Sequence, residues 1–159
     1  MTLPPCPDRR HTQVLFPSSA EDAAILATRH QAPYLAGASA AQLGWSKHTG
    51  WPAKAISLQA LEELRGCQRA VDHWSIGALA RLSELASNRA LCRELPALHA
   101  ALLGVGAPGI RHLATLGGNI GFAGDLMPIL LVLDTQIDWL QGAAELQQSA
   151  LSDWLSQAP

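Results

Sequence analysis

Charge is scarce in this sequence: 15% of its 159 residues are Asp, Glu, Lys or Arg, against roughly 25% in an ordinary soluble domain. The 11 basic and 13 acidic side chains nearly cancel to a net −2. The basic residues form no run that could follow a phosphate backbone, which argues against nucleic acid as a partner. Cysteine is sparse as well. Cys6, Cys67 and Cys92 are far apart with no Cys-x-x-Cys pair, which argues against a disulfide framework, a zinc site and an iron–sulfur cluster held by this chain alone. No apolar run reaches the roughly 18 residues of a membrane span, because Asp125 and Asp134 bracket the longest candidate, Leu126 to Leu133. An apolar signal-peptide core is also missing: residues 1–13 are rich in proline and charge and read as a disordered leader on a cytoplasmic protein. No Gly-x-Ser-x-Gly elbow or His-Glu-x-x-His pair is present, and the six histidines are scattered. No catalytic or metal-ligating set is readable, so any catalysis must rest on a cofactor.

What is present is short elements separated by turn residues, in a chain of 48% hydrophobic residues, long enough for one domain or one domain in two lobes. Ser18 and Glu21 have capping-box spacing ahead of an Ala-rich helix running through Arg29, with Phe16 placed to staple onto it. Tyr34-Leu35-Ala36 reads as a strand that enters a Gly37-Ala38-Ser39 loop and then a helix over Ala41 to Lys47. Ala55 to Leu58 is another strand, followed by a helical turn around Leu61 to Leu64. Cys67 to Ala70 and His73 to Ile76 flank Val71-Asp72 as a hairpin. Leu79, Leu82, Leu85 and Ala86 recur at helical spacing, as do Leu95, Leu98, Ala101 and Leu102 around Pro96. Ala107 to Asn119 reads as loop. Leu126 to Leu133, apolar all round, reads as a fully buried helix with Asp125 near its start. A Gln136 to Leu140 strand, a Gln141-Gly142 turn, Glu145 to Gln148 and an amphipathic turn at Leu151, Trp154 and Leu155 close the chain. The order predicts an α+β arrangement, a small α/β lobe over residues 14–58 and a larger α+β lobe over 59–159.

Two glycine loops are candidate ligand sites: Ala36-Gly37-Ala38-Ser39 and Thr115-Leu116-Gly117-Gly118-Asn119. Glycine lets the main chain approach a ligand closely, so that successive amides can face phosphate oxygens, and Ser39, Thr115 and Asn119 add side-chain donors. Neither loop carries the lysine of a P-loop, and tight packing between elements explains glycine there equally. Arg111 has two readings, a phosphate partner or a donor to loop carbonyls. Asp125 is either a helix cap or an acceptor for a ribose hydroxyl. His112 reads as a surface residue, and the five tryptophans as core or contact residues.

The order of motifs narrows this. Phe16-Pro17-Ser18-Ser19-Ala20-Glu21-Asp22-Ala23, Tyr34-Leu35-Ala36-Gly37-Ala38-Ser39, Ile76-Gly77-Ala78, Pro96-Ala97-Leu98, Ile110-Arg111 and Ala114-Thr115-Leu116-Gly117-Gly118-Asn119-Ile120 follow in turn, then Asp125 and Leu130-Leu131-Val132-Leu133-Asp134. The series resembles the FAD-binding domain of molybdenum hydroxylases, the family of xanthine dehydrogenase and of the medium subunit of carbon monoxide dehydrogenase. The resemblance implies a flavin module of the vanillyl-alcohol-oxidase type, with a small α/β lobe and a larger lobe whose antiparallel sheet is flanked by helices. It implies FAD as cofactor, with the diphosphate held by Leu35, Ala36, Gly37, Ala38, Ser39 and Ala40 on one side and Thr115, Gly117, Gly118 and Asn119 on the other, and Asp125 near the flavin. It further implies a molybdenum-cofactor subunit and a 2Fe-2S subunit as partners, NAD or another acceptor for the electrons, and an oxidoreductase component inactive alone. The sequence departs from that family at Ala38 and Ala40, where it has Gly and an acidic residue, in the short Gly121 to Gly124 segment, and in lacking the family's C-terminal domain. These departures support an alternative, a flavin-free structural or assembly relative with the same fold.

Overall fold

The computed structural model describes residues 12–44, 52–141 and 145–157. Strand β1 (Gln13–Leu15), helix α1 (Ala20–His30), strand β2 (Tyr34–Leu35), helix α2 (Ser39–Gly44) and strand β3 (Lys54–Ser57) build the first part. The three strands form a parallel sheet in the order β1-β3-β2, with Val14 opposite Ala55 and Tyr34 opposite Ile56. The central strand is buried along Ala55, Ile56 and Ser57, as a parallel strand covered on both faces must be. Helix α1 covers it with Ala23, and Ala32, Leu61 and Leu79 complete this first apolar core. Gln13, assigned to the leader on sequence, is the first residue of β1, and the Thr12 hydroxyl donates to the Pro52 carbonyl at 2.7 Å. Residues 1–11 lie outside the described part.

A 3₁₀ turn at Glu62–Leu64 leads into the hairpin β4 (Cys67–Arg69) and β5 (Trp74–Ile76), paired as the sequence predicts, Arg69 opposite Trp74. Helices α3 (Leu82–Ser87), α4 (Arg89–Glu94), α5 (Pro96–Gly104), α6 (Pro108–Leu113), α7 (Leu116–Gly121) and α8 (Met127–Val132) follow. The hairpin β6 (Gln136–Gln141) and β7 (Glu145–Ala150) and helix α9 (Leu151–Gln157) close the chain. Helices α3 to α5, α8 and α9 bury a second core of Leu82, Leu85, Leu91, Leu98, Leu102, Leu126, Leu130 and Leu151. The result is the predicted α+β class, with two separate antiparallel hairpins and one isolated antiparallel bridge, Arg81 to Thr115, among the described residues. No helix among them is long and apolar enough to cross a membrane.

Several local expectations are corrected. The cap of α1 is Ser19, whose hydroxyl accepts from the Asp22 amide at 3.1 Å, one residue beyond Ser18; the Ser18 amide instead donates to the Asp22 carboxylate at 2.8 Å. Phe16 is 74% exposed and staples nothing. Helix α2 starts at Ser39, two residues before the expected start, and its expected end, like Trp45, Trp51 and the Gly142 turn, lies outside the described residues. Leu79 precedes α3 and belongs to the first core. Helix α4 was missed because its cap, Asn88, is also the end of α3, so two helices abut without a turn residue; the Asn88 side chain accepts from the Ala90 and Leu91 amides. Residues 107–119, expected as loop, hold α6 and α7: Pro108 sits in the first turn of α6, where its missing N–H costs nothing, and Thr115 caps α7. Helix α8 is not buried all round, since Val132 is 76% exposed. Asp125 does not cap it: Leu126 holds that position, and its amide donates to Asn119 Oδ1 at 3.1 Å.

Leu85 is 1% exposed in the second core. Leu85→Ala should cost about 2–5 kcal/mol of unfolding free energy, seen in urea melts as a lower midpoint at unchanged slope. The first hairpin is tied to α4 through Glu94 Oε2, which accepts from Arg69 Nε at 2.7 Å and from the Trp74 indole at 3.1 Å. These bonds, the arginine's first, hold the Glu94 carboxyl below its ordinary range. A carboxylate with a lowered pKa keeps its contacts above the ordinary value and loses them as pH falls through the lowered one. The Trp74 indole N–H resonance should therefore titrate below the ordinary glutamate value of about 4.3; a midpoint at or above it refutes the tie.

Candidate functional site

The first and second cores meet where residues 78–82 run antiparallel to 114–117. The Leu82 amide donates to the Ala114 carbonyl at 3.0 Å, the Leu116 amide to Ala80 at 3.0 Å and the Gly117 amide to Ala78 at 2.9 Å. Arg81 and Thr115 are the directly opposed residues of this pairing. Gly117 permits the approach: a Cβ there would stand 2.7 Å from the Ala78 Cβ.

The first glycine loop packs onto the same place. Leu35 ends β2, and Ala36 and Gly37 bend away from the sheet, with the Ala36 carbonyl near Gln59 Nε2 at 3.4 Å. Ala38 takes a positive φ of 55°, and Ser39 and Ala40 open α2. A Cβ on Gly37 would land inside the Leu113 carbonyl group and 3.1 Å from the Ala114 Cα. A Cβ on Gly118 would lie 4.0 Å from the Ala36 Cβ, so the two loops predicted from sequence face each other. Between them opens a cleft of about 180 Å³ lined by Ala36, Gly37, Gln59, Arg65, Leu79, Arg81, Leu113 and Thr115. That is below the roughly 300–1,000 Å³ of a drug-sized ligand's pocket. It suits part of a large ligand, such as a diphosphate.

The two loops offer different groups. The amides of Gly37, Ala38 and Ser39 have no hydrogen-bond acceptor among the described residues. In the second loop the amides of Leu116, Gly117 and Asn119 bond to the Ala80, Ala78 and Thr115 carbonyls, and that of Gly118 to Thr115 Oγ1 at 3.2 Å. What this loop presents is the Thr115 hydroxyl hydrogen. Thr115 is 6% exposed, one of two buried polar side chains among the described residues, and it lines the cleft. Asn119 works within the chain, its main-chain carbonyl accepting from Gly124 at 2.8 Å and its side chain from Leu126. Asp125 is exposed and does not line the cleft. Arg111 holds the loop, Nη1 donating to the Val105 and Gly106 carbonyls at 3.0 and 2.7 Å, and His112 is exposed. Trp74 and Trp154 pack on the second core.

Of the predicted residues, Ala36, Gly37 and Thr115 line the cleft, and Leu35, Ala38, Ser39, Ala40, Gly117, Gly118, Asn119 and Asp125 do not. Sequence reasoning missed Arg65 and Arg81. Arg81 carried a signal, as the sole charge in the apolar stretch Ala78-Leu79-Ala80-Arg81-Leu82.

Residues 10–159 match the model of a family described as FAD binding domain in molybdopterin dehydrogenase. The xanthine dehydrogenase FAD-binding subunit of Escherichia coli O157:H7 is 35% identical over 97 residues, 60% of this chain and 33% of that protein. Among solved structures, reconstituted CO dehydrogenase from Oligotropha carboxidovorans superposes with a TM-score of 0.81 at 25% identity, over 89% of this chain and 51% of that one. Quinoline 2-oxidoreductase from Pseudomonas putida 86 shares the fold, with a TM-score of 0.79 at 20% identity, over 89% and 51%. The chain thus spans about a third of the curated relative and about half of the structural ones.

Because Gly37 faces a backbone carbonyl, which cannot swing aside, Gly37→Ala should destabilise the chain by more than about 2 kcal/mol. Gly121, with nothing within 4 Å of its notional Cβ, should accept alanine with a gain of up to about 1 kcal/mol. Equal shifts in paired thermal melts would refute the close approach of Gly37 to the Leu113 carbonyl.

Proposed function

We propose that this chain, which belongs to the family of FAD-binding domains of molybdopterin dehydrogenases, binds FAD across the cleft between its two loops. One observation carries this: two loops 80 residues apart, from Gly37 to Gly117, are brought face to face over a cleft lined by Gly37, whose amide has no acceptor among the described residues, a buried hydroxyl and two arginines. These donors, with no lining carboxylate, fit a diphosphate. In the first loop, residues 35–40, the amides of Gly37, Ala38 and Ser39 face one side of the diphosphate, framed by Leu35, Ala36 and Ala40. Thr115 donates its hydroxyl hydrogen from the other, kept in place by the Gly118 amide. Gly117 and Gly118 hold the wall at the right distance, Asn119 braces the turn behind it, and exposed Asp125 makes an outer contact toward the flavin.

Bound FAD supplies a centre that takes up electrons singly or in pairs, chemistry for which the side chains of this cleft have no group of their own. In this reading the chain is the flavin-carrying component of a cytoplasmic molybdenum hydroxylase. Electrons arrive from a 2Fe-2S partner and leave to an acceptor such as NAD, while substrate is hydroxylated on a molybdenum-cofactor subunit. The chain is an oxidoreductase component inactive by itself, with residues 14–58 and 59–159 as its two lobes. A second reading has its own support: Gly37 and Gly117 are both required by protein contacts, so the loops would persist in a flavin-free assembly subunit.

Flavin fluorescence separates the two. FAD titrated into the purified chain should be quenched saturably, and Thr115→Val should weaken binding about tenfold, the loss of one hydrogen bond to a charged group, while costing about 1 kcal/mol of stability through the lost cap. A flat titration, with molybdenum and 2Fe-2S subunits still recovered on co-purification, would replace the flavoprotein by the assembly subunit.

A further inference from the structure

We infer that Arg65 and Arg81 form a guanidinium pair that grips the diphosphate of a dinucleotide in this cleft. The inference rests on the reading above and adds to it the charge that the two lysine-free loops lack. Both arginines line the cleft, and no Asp or Glu does. Their positions are set by structure rather than by chance. Arg81 is paired with Thr115, and the flanking bonds from Leu82 to Ala114 and from Leu116 to Ala80 make this a non-hydrogen-bonded pair of an antiparallel ladder. In such a pair the two side chains stand close together on one face, so Arg81 rises beside the buried Thr115 hydroxyl. No carboxylate forms an ion pair with the Arg81 side chain among the described residues. Glu84 accepts instead from its main-chain amide, at 3.1 Å.

Arg65 closes the other side. Its Nη2 donates to the Gln59 carbonyl at 2.6 Å, which fixes the plane of the guanidinium beside the first loop. Its Nε is 3.2 Å from Glu62 Oε1, close enough for attraction, but that oxygen is not aligned with the N–H, and Nε is left buried without an acceptor. A buried donor in that condition favours an incoming acceptor, and a guanidinium offers its donors as a planar fork suited to phosphate oxygens. In a chain of such low charge, two arginines facing one small cleft with no acidic neighbour in its lining mark an anion site.

The test uses the full chain and three probes, FAD, riboflavin and inorganic pyrophosphate, in calorimetric titrations. Wild type should bind FAD, and pyrophosphate should compete with it. Arg81→Ala and Arg65→Ala should each weaken FAD about tenfold, the double variant should lose pyrophosphate, and any weak riboflavin binding should be unaffected. Arg81→Lys and Arg65→Lys, which keep charge and stem, should recover part of the loss, and melting curves identify any variant that fails to fold. Wild-type FAD affinity in the alanine variants would overturn this inference and leave the proposed function standing. Pyrophosphate binding that depends on both arginines, without FAD binding by wild type, would sustain the arginine site and overturn the flavin reading. Failure of wild type to bind either overturns both.

Discussion

The antiparallel seam between residues 78–82 and 114–117 is the constraint on which the rest of the molecule depends. Leu79, on one side of it, belongs to the core under the parallel sheet; Leu82, Ala114 and Leu116 belong to the helical core. The seam is thus where the two apolar clusters adjoin. Its hydrogen bonds satisfy main-chain groups that would otherwise be buried alone, at about 1–3 kcal/mol each, and its tightness depends on Gly117 against Ala78. The cleft is a by-product of the same geometry. Two cores joined along a short seam leave a crevice beside it, and the first loop closes one wall by pressing Gly37 onto the Leu113 carbonyl.

This separates two jobs that a glycine motif usually suggests together. In the second loop the glycines serve approach of protein to protein, and the amides of residues 116–119 are engaged within the chain. In the proposed site the ligand-directed groups come from elsewhere: the first loop's amides, the Thr115 hydroxyl and the two arginines. Thr115 joins the jobs, since its oxygen accepts from Gly118 while its hydrogen has no acceptor among the described residues. A motif read only as a phosphate loop would credit the wrong atoms.

Elements with a clear local signal were legible in the sequence, including β2 and β3 as short apolar runs, whereas α4, α6 and α7 were not. The hairpin at 67–76 announced itself through a short polar turn between two strand-like runs, and the start of α5 through Pro96. Helices α6 and α7 were hidden because a Pro-Gly and a Gly-Gly pair argue against helix locally, at up to about 1 kcal/mol per glycine. The seam overrides that preference by holding residues 114–117 in place at the head of α7. The motifs that carry the family resemblance located both loops, but the cleft takes its lining from positions 36 to 115 and exists only through topology. Arg65 and Arg81 therefore looked like ordinary solvated charges.

Ala38 shows how firmly that topology acts. It holds a φ of 55°, a region that costs an L-residue with a Cβ about 1–2 kcal/mol, and the resemblance places glycine there. Had the loop shape come from residue 38, replacing glycine by alanine would have let the chain relax into an ordinary conformation. It has not relaxed, because both neighbours are fixed: Gly37 is wedged against the Leu113 carbonyl, and Ser39 is committed as the first residue of α2. The strain is borne by packing on either side, as expected where surrounding structure over-determines a backbone angle. Packing on both sides thus holds Ala38 at its positive φ, so the departure there costs conformational ease while the neighbours Gly37 and Ser39 stay fixed.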